Sequence, residues 1–468
     1  MKKLILTLGI FGLLFTSCEK DDEVFEEKDL TTLNPEEEEN GEDANTSDEL
    51  EVEKFVYAGM NEIYLYKADV PTLADTYFST DSEKTDFLEA FHSPEELFDG
   101  LRWSQDRFSF ITDDYFALEE RFKGISSTTT GMKFGIGRIS GTSNIFGFLQ
   151  YVLPGTSAEE AGLTRGSVFT EINGQKMTAS NYSSLMDAAL VTINIGKVED
   201  GMLKMTDETV TLDNTAYTTN PVLVAKTLDV EGEKVGYLMY TSFTGDFDED
   251  LNAAFSQFKA DGVTNLVLDL RYNGGGSVET AVDLASMITG QFEGEIFMKE
   301  QWNDDYQEYF ENNNPERLIN RFDQQIRTKA PINSLNLSKV YVLTTERTAS
   351  ASELIINGLE PYIDVIQVGE TTTGKFQASV TLYDSPDFGR EGASENHTYA
   401  IQPLVFKSAN ASGKSDYVNG LVPDVQISET LENLGTLGDP SEPFLQAALN
   451  HLLVKTKEMK SLPYKKAA

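Results

Sequence analysis

Histidine is nearly missing from this chain: His92, His397 and His451 are the only three in 468 residues. Catalysis through a Ser-His or Cys-His pair therefore has little to draw on. No His/Cys cluster has metal-ligand spacing either, and the acidic runs lack the glycine-punctuated pattern of a calcium loop. No metal or cofactor is expected. Cysteine is scarcer still. Cys18 stands alone, so no intramolecular disulfide can form and stability has to come from core burial, which this length supports. Positive charge is short as well. With 37 Lys+Arg against 77 Asp+Glu the formal net charge is −40, which argues against nucleic acid and anionic membrane surfaces as partners. The apolar run Leu4–Phe15 is too short to span a bilayer as a mature helix.

That run has another use. Lys2-Lys3, the apolar stretch and the small Thr16-Ser17 read as a secretory signal over residues 1–17. Cys18 follows at once, and its position resembles a bacterial lipobox, in which the cysteine is lipidated; Phe15 replaces the more usual Leu. Several acyl chains on one residue give stable anchoring where a single chain does not. Residues 18–50 form an acidic tether: Glu19–Leu50 holds 15 acidic residues against Lys20 and Lys28 and has almost no apolar periodicity. The start of that segment, Cys18-Glu-Lys-Asp-Asp-Glu23, resembles the tag that routes some Gram-negative lipoproteins to the outer face of the outer membrane. A surface-exposed outer-membrane lipoprotein is the expected address, with the periplasmic face as the alternative.

Residues 51–126 read as helical. Phe55, Val56, Met60, Ile63 and Tyr64 recur at helical spacing, and Pro94-Glu-Glu-Leu opens a helix with proline in its first turn. This predicts a small helical N-terminal domain. From Lys234 onward the signals alternate: Val235–Tyr240 strand-like, Glu249–Ala260 helical, Asn265–Leu270 a buried strand, Val278–Thr289 a helix with one apolar face. That alternation is βαβ organisation and predicts an α/β core over residues 221–430, followed by a helical segment at 431–468. Phe292–Pro331 is polar, aromatic-rich and irregular, as expected of a cap over a cleft.

Two positions carry candidate chemistry. Ser350 lies in Thr348-Ala-Ser-Ala-Ser-Glu353 and Lys375 in Gly374-Lys375-Phe-Gln377, 25 residues later. A serine hydroxyl needs a base, and a lysine can be one when burial disfavours its charged form. Ser350-Ala-Ser-Glu353 is also a capping box, and the two roles are compatible, because a helix N-terminus offers free N–H groups to an oxyanion. Leu266-Val-Leu-Asp-Leu-Arg-Tyr-Asn-Gly-Gly-Gly276 supplies a strand and a glycine turn, with no Gly-Lys-Ser/Thr to make it a phosphate cradle. Asp269 and Arg271 are expected to pair structurally and frame that turn.

Together with Gly420-Leu-Val-Pro-Asp424, these segments resemble, in order and spacing, the C-terminal (tail-specific) processing peptidases, serine peptidases with a Ser-Lys dyad. The resemblance spans roughly residues 234 to 425. It implies Ser350 as nucleophile, Lys375 as general base, and an oxyanion hole from the N–H groups of Ala351 and of Gly275 or Gly274. In many relatives a glutamine four residues after the lysine orients it. Here that position is Ser379, and Gln377 lies two residues after Lys375. If Lys375–Val380 is a strand, all three share one face, so Gln377 and Ser379 both remain candidates for the orienting role.

Residues 127–220 are similar to the PDZ domain inserted in these peptidases, through Phe134-Gly-Ile-Gly137 and Val152-Leu-Pro-Gly-Thr-Ser-Ala-Glu-Glu-Ala-Gly-Leu163, with Ile172-Asn-Gly174 as a tight hairpin. The resemblance implies that Phe134, Gly135, Ile136 and Gly137 form a loop offering N–H groups to a C-terminal carboxylate. The whole reading is a multi-domain α/β endopeptidase acting on extended polypeptides through their C-terminal tails. A catalytically idle binding protein on the same fold is the alternative.

Overall fold

The computed structural model describes residues 50–461. The signal segment, Cys18 and the tether up to residue 49 lie outside the described residues. The core is a six-stranded sheet in the order Val222–Val230, Glu233–Tyr240, Asn265–Asp269, Lys339–Thr344, Asp364–Gly369, Val425–Gln426. The first pair is antiparallel and every later neighbour is parallel. Alternation along the strands splits its two faces. Val235, Tyr237, Met239, Val267, Tyr341 and Leu343 meet the C-terminal helix Pro443–Ser461 through Phe444, Leu445 and Ala448. Leu238, Tyr240, Leu266, Leu268, Val340 and Val342 pack into the main core with helices Asp248–Ala260, Val278–Thr289 and Ala351–Leu359. Both faces are covered, which is why these strands read as apolar runs.

A second, four-stranded sheet runs Ile319–Arg321, Ile296–Trp302, Leu404–Asn410, Gln377–Ser379. This corrects the expectation for Phe292–Pro331. The segment contributes two strands of this sheet and the helix Asp304–Asn313, and its aromatics Trp302, Tyr306 and Phe310 are buried. Only Trp302 belongs to the strand, while Tyr306 and Phe310 follow at helical spacing in a helix that starts after a single intervening residue, so strand and helix signals run together and neither stands out.

The N-terminal region carries helices Glu51–Ile63, Asp81–Leu88, Pro94–Leu101 and Tyr115–Phe122. It has no core of its own. Phe55, Val56, Met60, Ile63 and Tyr64 belong to the same buried cluster as Leu382, Ile401 and Leu404. Contact is close enough that a methyl group at Gly59 would sit 2.8 Å from Ile401 Cδ1. Phe110–Thr112, expected as helix, is instead a strand paired antiparallel with Ala400–Gln402.

Residues 132–213 form a seven-stranded antiparallel sheet in which Met132–Arg138 is an edge, paired only with Ile145–Val152. The expected hairpin is present: Ile172 pairs with Gln175 across Asn173 and Gly174, both at positive φ (51° and 73°), as a two-residue primed turn requires. Phe134, Gly135, Ile136 and Gly137 sit within the edge strand and not in a loop. Gly135 and Gly137 are needed for space, since a Cβ at either would stand 2.3 Å from the ring of Phe148 or Phe146.

Candidate active site

At the carboxyl end of strand Asn265–Asp269 the chain passes through Arg271 and Asn273 into Gly274-Gly275-Gly276 and enters helix Val278–Thr289. Two features fix this turn. Behind it, Arg271 is fully buried with its guanidinium forked onto Asp269 (2.7–3.1 Å) and its other amino group 2.7 Å from Glu442. Those carboxylates hold the Arg271 guanidinium far above its usual range despite burial. The pairing of Asp269 with Arg271 is as the sequence indicated. In front, Asn273 ties the turn to the neighbouring loop: its carbonyl accepts from Ala349 N–H (3.2 Å) and Ser352 Oγ (3.0 Å).

That loop carries Ser350, at the N-cap of helix Ala351–Leu359. Its backbone is strained (φ 61°, ψ −118°), a conformation a non-glycine residue keeps only when its surroundings impose it. Gly275, at φ 110°, lies against it. A Cβ on Gly275 would stand 2.6 Å from Ser350 Cβ and 3.0 Å from Ala351 N, so only glycine allows the approach. Ser350 is 2% exposed, and its Oγ has no hydrogen-bond partner among the described residues. Gly275 N–H donates to Asn273 Oδ1 at 2.9 Å.

Lys375 enters from a different part of the fold and is 1% exposed. It lies in the loop before strand Gln377–Ser379, so the expected strand from residue 375 begins two residues late. The reason is local. Gly374 turns at φ 85° beneath Val418 O, and Gly420 of the Gly-Leu-Val-Pro-Asp segment turns at φ 83° beneath Thr372 O; a Cβ would collide at 2.4 Å and 2.1 Å. Asp424 of the same segment exchanges hydrogen bonds with the Gln367 backbone at 2.8 and 2.9 Å.

Glu353 joins the two halves. Its buried carboxylate accepts from Ser350 N–H (2.9 Å), Gly374 N–H (2.7 Å) and Lys375 N–H (2.8 Å), and from the Thr372 hydroxyl. Burial, outweighing these hydrogen bonds, pushes its pKa up to about 7. The residue therefore acts as more than a helix cap: it holds the serine and lysine segments to one group.

Sequence reasoning missed the residues that surround Lys375 from the N-terminal region. The Phe108 ring centroid is 5.3 Å from Lys375 Nζ. Tyr66 OH accepts from Gln377 Nε2 at 2.7 Å, and its ring packs 4.6 Å from that of Trp103. Burial pushes the Tyr66 hydroxyl up to about 12, so it stays protonated near neutrality. Gln377 Oε1 is buried without a hydrogen-bond partner among the described residues. Ser379 lies on the same short strand, 1% exposed, with a bulge in the partner strand beside it. No local periodicity marks Tyr66 or Phe108, because their role depends on a fold contact some 270 to 310 residues away. The three histidines are engaged elsewhere, with Glu96, Asp384 and Tyr341.

Comparison with known proteins agrees with this architecture. Residues 234–427 match the model of peptidase family S41, and residues 51–110 match that of the peptidase S41 N-terminal domain. The chain is similar to a carboxyl-terminal-processing protease of Picosynechococcus, 24% identical over 364 residues, covering 74% of this chain and 77% of that one. A carboxyl-terminal-processing protease of Synechocystis is 25% identical over 338 residues, covering 71% of each. A solved structure described as an S41 protease from Bacteroides fragilis is 26% identical with a TM-score of 0.68, covering 90% of this chain and 99% of that one. Two family models across its N-terminal region and core, and similarity in fold over 90% of its length, place the chain in peptidase family S41, as a serine peptidase.

Proposed function

We propose that this peptidase cleaves extended polypeptides through Ser350 and Lys375, by way of an acyl-enzyme. The observation that carries the reading is the shared carboxylate of Glu353, which binds the backbone of both residues at 2.8–2.9 Å while each is almost fully buried. Neutral Lys375 takes the proton of Ser350 Oγ as the Oγ–carbonyl bond forms. The resulting ammonium protonates the leaving amine as the C–N bond breaks. Lys375 then deprotonates the water that attacks the ester, and the proton returns to Ser350 when the acid leaves.

The oxyanion is held by Ala351 N–H at the helix N-terminus and by the glycine turn. Since Gly275 N–H is bonded to Asn273, Gly274 is favoured as the second donor unless Asn273 releases Gly275. Gln377 orients the amine in preference to Ser379: its Oε1 is an unmatched buried acceptor, and Tyr66 fixes its other end. Digestion of an unfolded polypeptide by the chain lacking its first 50 residues tests the reading. Ser350→Ala and Lys375→Ala are each expected to abolish cleavage with the fold retained. Loss in His397→Ala with Lys375→Ala still active would overturn the lysine assignment.

Substrate tails are proposed to bind along Met132–Arg138, adding as a strand beside Phe134–Gly137. The edge position of this strand supports that mode, since its outer hydrogen-bonding groups face no other strand. A peptide ending in a free carboxylate should bind residues 127–220 more tightly than its amide, and equal binding would remove the idea. For the address, the proposal is lipidation of Cys18 and display outside the outer membrane. Cys18→Ser should release the protein or stall its processing. Protection of the native protein from protease added to intact cells would place it on the periplasmic face instead.

A further inference from the structure

Helix Val278–Thr289 leads away from the glycine turn and carries a carboxyl group that the reaction does not use. Asp283 is 1% exposed, and its Oδ2 has no hydrogen-bond partner among the described residues. A buried carboxyl oxygen without a partner is costly and calls for a ligand or a proton. Asp283 lines a cavity of about 730 Å³ between this helix and the segment 316–325. The other carboxylates on its wall are Glu279, Glu293, Glu316 and Asp323, and its one basic residue, Arg321, is paired with Glu316 at 2.8 Å. Val282, Ile319 and Phe322 add an apolar strip.

We infer that this cavity binds the side chain of a lysine or arginine of a polypeptide substrate, with its charged head on Asp283. The lining matches such a side chain at both ends: methylenes pack on the apolar strip while the head reaches the carboxylates. A divalent ion fits less well. Among the described residues, the one trio of carboxylate and histidine ligand atoms lying within 4.8 Å of one another is Glu51, Asp384 and His397, elsewhere in the fold. There, His397 Nδ1 accepts from Tyr399 N–H, which leaves Nε2 protonated and donating to Asp384 rather than open to a metal. Position favours a substrate role too. Asp283 is five residues, about 8 Å, along the helix from Val278, which follows the glycine turn closely, a distance that an extended polypeptide covers in about two or three residues.

Binding should depend on pH. Burial first, then the facing carboxylates of Asp248, Glu279 and Asp323, raise the Asp283 pKa to about 8; Arg327, 3.3 Å from Asp248, acts the other way. The cation needs the anion, so affinity rises as pH climbs through that value.

The inference rests on the chain acting on polypeptides, and it is tested in a background where cleavage plays no part. Acetyl-Ala-Arg-Ala-amide is titrated calorimetrically into the full chain carrying Ser350→Ala, beside the same peptide with norleucine for arginine. The arginine peptide should bind at one site, at least about tenfold tighter than the norleucine peptide, with affinity rising between about pH 7 and 9. Asp283→Asn should weaken it about tenfold, and Glu293→Gln, at the exposed rim, about threefold. Equal binding of the two peptides would overturn the inference, as would arginine binding that neither variant changes. So would one calcium ion binding per chain and lost in Asp283→Asn, since the site would then be a metal site. Loss of cleavage in Ser350→Ala is a separate result and is unaffected by any of these outcomes.

Discussion

The two sides of the active site are built in different ways. The serine side is made of backbone: a glycine turn at φ 110° and 139°, an N-cap residue at φ 61°, and a helix start, all drawn from two contiguous segments. The lysine side is made of side chains gathered from across the chain, with Phe108 and Tyr66 from the N-terminal region and Gln377 from the second sheet. Backbone geometry has few residue solutions, so it leaves a dense signature in sequence. Side-chain enclosure has many, and it leaves almost none.

Glu353 spans both sides, so its replacement should have the largest effect on this contrast. Glu353→Ala removes the acceptor of three buried N–H groups and should cost about 3 kcal/mol or more of stability together with most of the activity. Glu353→Gln keeps the shape and isolates the charge. The folded pKa of about 7 lies above the usual 4.5, so the folded chain binds this proton more tightly than the unfolded one. The stability this group contributes is therefore fully present below about pH 4.5 and is lost as pH rises through about 7. Thermal unfolding across that window should show a slope in the parent that flattens in Glu353→Gln; an unchanged slope would mean that the carboxylate is not the titrating group.

A smaller effect is expected on the lysine side alone. Tyr66→Phe deletes one buried hydrogen bond and should lower kcat about fivefold, roughly 1 kcal/mol, with little change in KM. Gln377→Ala should lower it by more, and the double variant should be no worse than Gln377→Ala, because Tyr66 acts through Gln377. A larger loss in Ser379→Ala than in Gln377→Ala would move the orienting role to Ser379. Additive losses would instead give Tyr66 a direct contact with the amine.

The same division explains what could be read in advance. The strand-turn-helix from Asn265 to Thr289 was legible almost to the residue, since its periodicity and glycines are local. The pairing of Asp269 with Arg271 was legible for the same reason. The N-terminal region read as a helical domain because its apolar spacing is helical, but that spacing could not say that its apolar face is covered by Ile401 and Leu404 and not by itself. Trp302 and its neighbours looked irregular because a strand and a helix follow each other closely there and share one aromatic core. Phe134–Gly137 was expected as a loop from the resemblance alone, whereas its residues lie in a strand whose two glycines make room for Phe146 and Phe148.

The central claim is that Ser350 is the nucleophile and Lys375 its base. A phosphonofluoridate that reacts with activated serines tests it without a substrate. Peptide mass mapping after labelling should find the adduct on Ser350, lost in Ser350→Ala and formed at least about a hundredfold more slowly in Lys375→Ala. The parent should label faster as pH rises, since the free amine is the active form. An adduct on another serine, or labelling of Ser350 at full rate without Lys375, would contradict the account.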